Sequence, residues 1–135
     1  MVKKLMTINC YDGEKTMIIM GTCLPSMQPN AYKKLEEIST SIYELCLEET
    51  HVNMAITKII GILSRIKVER LIFATVDKSP HCVQMHYIES EIIKAMKLEN
   101  TKIIHYIATN DELVEISSDT IKLSKNLTEL EKIKR

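Results

Sequence analysis

Three short apolar runs, separated by long stretches of helical periodicity, limit this chain to an α/β fold. The runs are Thr16-Met17-Ile18-Ile19-Met20, Leu71-Ile72-Phe73-Ala74-Thr75-Val76 and Lys102-Ile103-Ile104-His105-Tyr106-Ile107. A strand that stays apolar at consecutive positions is covered on both faces, as in a parallel sheet flanked by helices. Between the runs, apolar residues recur at three- and four-residue steps, the period of a helix with one buried face.

The first run is expected to pair with Leu5-Met6-Thr7-Ile8 as an N-terminal β-hairpin, because Tyr11-Asp12-Gly13-Glu14 carries the Asp-Gly signal of a tight turn. Asn30 opens a helix built on Leu35, Ile38, Ile42 and Leu45. A second starts at Thr50 or Asn53 and carries Val52, Ile56, Ile59, Leu63 and Ile66. Gly61 inside it costs about 1 kcal/mol against alanine and marks a close contact with another element. A third helix follows the strand at 70–76 and reaches Met96 through Val83, Tyr87, Ile88, Ile92 and Ala95. Leu113-Val114-Glu115-Ile116 pairs back across Asn110-Asp111. Ser117-Ser118-Asp119 starts a closing helix with Ile121, Leu127, Leu130 and Ile133. The expectation is one α/β domain over 1–135, in three layers or two, with a mixed, mainly parallel sheet, the N-terminal hairpin and flanking helices. It resembles small doubly wound α/β domains in general, which host unrelated functions.

Composition narrows the partners. Eighteen basic residues balance eighteen acidic ones, so no long-range field gathers nucleic acid. The basic cluster Lys132-Ile133-Lys134-Arg135 reads as a solvated helix end. No apolar run approaches the roughly 20 residues of a membrane span. Cys10, Cys23, Cys46 and Cys82 form no C-x-x-C pair, and no signal peptide is read at the start. A cytoplasmic protein with free thiols is expected, and a homo-oligomer, since symmetric dimers are the commonest assembly.

Chemistry concentrates in one stretch. Asp77 through His86 holds one of four cysteines and two of four histidines. Ser79 can cap a helix with Pro80 at its first position, where the missing N–H costs nothing. His81 and Cys82 then sit in the first turn, and the helix terminus draws the Cys82 thiol toward thiolate. If the three core strands are parallel, the loops Gly21-Thr22-Cys23, Asp77 to Cys82 and Ala108-Thr109-Asn110-Asp111 share the carboxyl edge, where ligands bind in such sheets.

Three chemistries are open to these residues. Cys82 and His86, four apart on one helix face, can supply two ligands to a transition metal such as zinc or iron, with Cys23 as third. Alternatively Cys82 is a nucleophile or redox centre, with His81 or His86 as base and Asp77 orienting a histidine. Or a phosphate sits on the N–H groups after Ser79 with Gly21, Thr22, Lys78 and Asn110 around it, although G-x-x-x-x-G-K-[ST] and G-x-G-x-x-G are both absent. In the plainer reading Cys82 is a small buried residue and His105 a satisfied core histidine. The expected function is a small-molecule pocket of cysteine and histidine working through a reactive thiol or a bound metal. The alternative is a non-catalytic module for a phosphorylated small molecule, a nucleotide or a partner protein.

Overall fold

The apolar run at 71–76 becomes the centre of the sheet, buried at every position. A computed structural model describes residues 2–134; Met1 and Arg135, the last residue of the basic tail, lie outside the described residues. The chain begins with β1 (Lys3–Lys4), a 3-10 turn (Leu5–Thr7), β2 (Thr16–Gly21), α1 (Leu24–Met27), α2 (Pro29–Ile38) and β3 (Ile42–Leu45). It continues through α3 (Val52–Arg65), β4 (Arg70–Val76), α4 (Pro80–His86) and α5 (Ile88–Ala95). The last part is β5 (Lys102–Thr109), β6 (Glu112–Ile116), α6 (Ser118–Ser124) and α7 (Leu127–Lys134). The strands lie in the order β1-β3-β2-β4-β5-β6, parallel throughout except that β6 runs antiparallel to β5.

Alternation along the strands makes two cores, since successive side chains leave opposite faces. Met17, Ile19, Leu71 and Phe73 pack on one face with Ile59 and Ile62 of α3, Met85 of α4 and Ile88 and Ile92 of α5. Ile18, Met20, Ile72 and Ala74 pack on the other with Leu24 of α1 and Ala31 and Leu35 of α2. The domain is therefore three-layered. Gly61 makes the close contact its position implied: a Cβ there would stand 3.2 Å from the Cys10 sulfur.

The N-terminal hairpin does not form. Leu5–Thr7 is a 3-10 turn, and the short β1 pairs in parallel with β3, at the far side of β2. Gly13 supplies no left-handed turn, for no glycine has positive φ. It gives room instead: a Cβ there would come within 2.5 Å of Ile66 Cδ1 and 2.6 Å of Met17 Sδ. The helix expected from Asn30 to Leu45 also divides. Ser39 breaks it by donating its hydroxyl to the Thr16 carbonyl at 2.8 Å and accepting the Ser41 N–H at 3.0 Å. Ile42, Tyr43 and Leu45 then enter the sheet as β3, paired with Ile18, Ile19 and Gly21. The third expected helix bends at Tyr87 into α4 and α5, with the Tyr87 N–H shared between the Gln84 and Met85 carbonyls. The Asn110-Asp111 turn and the Ser117 cap stand where the sequence indicates, the former with φ of 50° and 60°, as a two-residue I′ hairpin requires.

Candidate functional site

The chain leaves β2 for α1 and α2 on one face of the sheet and leaves β4 for α4 and α5 on the other. The carboxyl ends of β2 and β4 are therefore the point where crossovers diverge, the usual ligand crevice of such sheets. Cys82 reaches this point. Its sulfur lies 3.5 Å from where a Cβ on Gly21 would stand, so the two loops expected to converge do meet. Ser79 caps α4, accepting the Cys82 N–H at 3.5 Å. Lys78 is held at φ 70° while Asp77 Oδ1 accepts its N–H at 3.0 Å, a left-handed conformation that costs a non-glycine residue about 1 kcal/mol or more.

The other expected members separate. His81 turns outward, its Nδ1 3.2 Å from Glu48 Oε1 on the surface. Thr22, Cys23 and Asn110 are exposed at the same edge. Asp111 ties its turn to α2 by accepting the Asn30 N–H at 2.9 Å and the Asn30 side-chain amide at 2.6 Å. His86 points inward, away from a shared site with Cys82. Its Nε2 is 2.7 Å from Thr75 Oγ1 and its Nδ1 is 2.9 Å from His105 Nδ1, so both nitrogens are engaged. Cys82, His86 and Cys23 are not gathered as ligands, and no group of three His, Cys, Asp or Glu among the described residues is placed to hold a metal.

His86 and His105 are both buried. Phe73 stacks on His105 at 5.7 Å between ring centroids and meets His86 edge-on at 6.4 Å. Glu89 Oε2 lies 3.3 Å from His105 Nε2, too poorly aligned to complete a hydrogen bond. Burial pushes the pKa of His86 down to about 3, with the neighbouring His105 adding to the shift. Burial also lowers that of His105, against the opposing pull of Glu89. Both imidazoles are neutral at pH 7.

His86 forms part of the wall of a cavity of about 280 Å³ at the carboxyl edge, one strand over from Cys82. Val83, Ile107, Val114, Ile116 and Ile121 give it an apolar lining, with Asp77, Tyr87, Thr109, Thr120 and Ser124 as polar points. The pairing of Ile107 with Val114 and of His105 with Ile116 sets the β5–β6 hairpin as one wall. A Tyr87 hydroxyl to Ser124 Oγ hydrogen bond of 2.9 Å holds α6 across it, and Lys125 lies 4.7 Å over the Tyr87 ring. The sequence reading passed over Tyr87, Ser124 and the wall on β6. The available signal was the two-residue period of 105, 107 and 109, which puts His105 on the face that α4 covers.

This is a doubly wound α/β domain with a cavity at the carboxyl edge of its sheet. The chain belongs to the Rossmann-like domain family, whose pattern matches residues 12–134. No curated protein and no solved structure matches it. No helix among the described residues is long and apolar enough to cross a membrane.

The thiols can be ranked from this geometry. All four cysteines are free, but only Cys23 is exposed, and it stands at the start of α1; Cys82 is thus not alone at a helix terminus. Alkylation of the native protein followed by mass spectrometry should mark Cys23 first, Cys82 next, and Cys10 and Cys46 last. Labelling of Cys46 ahead of both would overturn the ranking.

Proposed function

We propose that this domain binds a small organic molecule in the carboxyl-edge cavity, with an apolar body against Val83, Ile107 and Ile121 and a hydrogen-bond donor or cation facing Asp77. The observation that carries this reading is the cavity itself. Its volume of about 280 Å³ is near the lower end of ligand pockets, and it combines an apolar lining with a few convergent polar groups. Asp77 is the one charged side chain of that lining, His86 being neutral. A phosphate placed there would face a carboxylate, so an amine or a polyol suits the cavity better than a phosphorylated ligand. Four free thiols fit a reducing compartment such as the cytoplasm.

A fragment screen by thermal shift and protein-observed NMR tests the proposal. Fragments with an amine or hydroxyl on a compact apolar body should raise the melting temperature and perturb Val114 and Ile121. Asp77→Asn should weaken an amine by roughly tenfold or more, the scale of a lost charge-assisted hydrogen bond. Ile121→Trp should fill the cavity and abolish binding. Equal binding of matched carboxylates, or perturbations confined to another part of the domain, would reject the reading.

Thiol chemistry at the crevice is a second reading, favoured by the Cys82 sulfur seated over Gly21 beside the loop that carries Cys23. It requires the labelling order given above together with loss of function on Cys82→Ser at an unchanged melting temperature.

A further inference from the structure

Four polar side chains stand in line between the sheet and α4–α5. Thr75 Oγ1 is 2.7 Å from His86 Nε2, His86 Nδ1 is 2.9 Å from His105 Nδ1, and His105 Nε2 is 3.3 Å from Glu89 Oε2. The line runs from Thr75 to Glu89, and two of its members reach different cavities. His86 lines the carboxyl-edge cavity, whereas Glu89 lines a groove of about 390 Å³ with Ile93, Met96, Lys97 and Thr101. Thr75, His86 and His105 are buried, while the Glu89 side chain keeps 12% of its surface exposed.

We propose that Thr75, His86, His105 and Glu89 form a proton relay joining the carboxyl-edge cavity to solvent at Glu89. Donor and acceptor accounting fixes the resting state. A neutral imidazole has one N–H and one lone pair. The Glu89 carboxylate draws the His105 proton to Nε2, which leaves Nδ1 of His105 as an acceptor. His86 must then donate from Nδ1, and its Nε2 accepts the Thr75 hydroxyl. Both hydrogen bonds of the line then point toward Glu89, whose carboxylate faces the His105 Nε2–H at 3.3 Å.

One passage moves one proton in and one out. A molecule in the cavity gives its proton to His86 Nε2 while the Thr75 hydroxyl turns to accept from that new N–H. The Nδ1 proton of His86 passes to His105 Nδ1, and the Nε2 proton of His105 passes to Glu89, which releases it to the groove. Each ring exchanges one tautomer for the other and neither becomes an imidazolium. That suits rings whose burial disfavours the charged form. The groups facing the pair are Glu89 from α5, Asp77 at the cavity and Lys97 beside Glu89 in the groove. The inference rests on the ligand reading only for the identity of the molecule that exchanges the proton.

The test needs no ligand. NMR of the full chain with ¹⁵N-labelled histidine should find both rings neutral at pH 7, with His86 protonated on Nδ1 and His105 on Nε2. Exchange of the shared Nδ1 proton with solvent should slow by roughly 100-fold in Glu89→Gln, the scale of a positioned acid–base group, and recover in part in Glu89→Asp. Glutamine keeps an oxygen on a side chain of the same length facing His105 Nε2 but cannot take up a proton, so a structural role alone would leave the exchange rate unmoved. Protons on Nε2 of both rings in the unaltered protein, or an unchanged rate in Glu89→Gln, would overturn the relay. Failure of the fragment screen with these tautomers present would reject the ligand reading alone.

Discussion

Alanine in place of Phe73 should lower the unfolding free energy by about 3–5 kcal/mol, the range for deleting a buried aromatic ring. Phe73 is fully buried in β4, and its ring lies parallel to His105 and edge-on to His86. Removing it opens a cavity and frees both imidazoles to tilt out of register with Thr75 and Glu89. Leucine should recover part of the loss, since it refills volume without restoring the stacked contact. Urea unfolding of the three proteins measures this directly. A loss below about 1 kcal/mol for alanine would mean that the surrounding core collapses freely onto the site.

Acid should destabilise the domain well above the range in which carboxylates titrate. His86 is held neutral in the folded state with its pKa near 3, whereas the unfolded chain takes up a proton near pH 6.5. Between those values the unfolded state binds more protons, so stability rises with pH. The stabilisation is complete above about pH 6.5 and is lost as pH falls toward 3. The full loss from this group is on the order of 5 kcal/mol. His105 is shifted the same way and adds to it. Denaturant midpoints from pH 7.5 to 4 should fall steadily, and His86→Gln should flatten the slope while costing some stability at pH 7.5. A midpoint that holds constant down to pH 4.5 would contradict the neutral, buried assignment.

The sequence disclosed those features that local chemistry dictates. Ser79-Pro80 and Ser117 announce helix starts because a capping oxygen and a preset φ act within one turn. Asn110-Asp111 announces a hairpin because its backbone needs positive φ. The run at 71–76 announces a central strand because both its faces are apolar. It was silent wherever two periods coincide. Ile38, Ile42 and Leu45 satisfy a helical spacing, yet Ile42 and Leu45 also bury as strand residues, and pairing with β2 decides between them. The Asp-Gly pair was misread because Gly13 serves a close approach of Ile66 and Met17 instead of a turn.

The site divides along the same lines. The meeting of Cys82 with Gly21 follows from parallel strands and was legible. The meeting of His86 with His105 joins residues 19 apart, and it depends on the register that sets Phe73 beside His105 and on the bend at Tyr87. No spacing in the chain encodes either one. The cavity lies a strand farther out than expected because β6 and α6 supply part of its walls.

The Cys82 sulfur over Gly21 has a consequence for how such a domain diversifies. It occupies the space over Gly21 at the crossover divide, the ground where a nucleotide would approach backbone closely. On the proposed reading, the ligand lies one strand over from this divide, between α4 and β5 of the scaffold on one side and β6 and α6 on the other. Part of that lining then belongs to a stretch of sequence separate from the central strands. Changes at Val114, Ile116, Thr120 or Ile121 can reshape the proposed site while the packing of β2, β3 and β4 stays as it is.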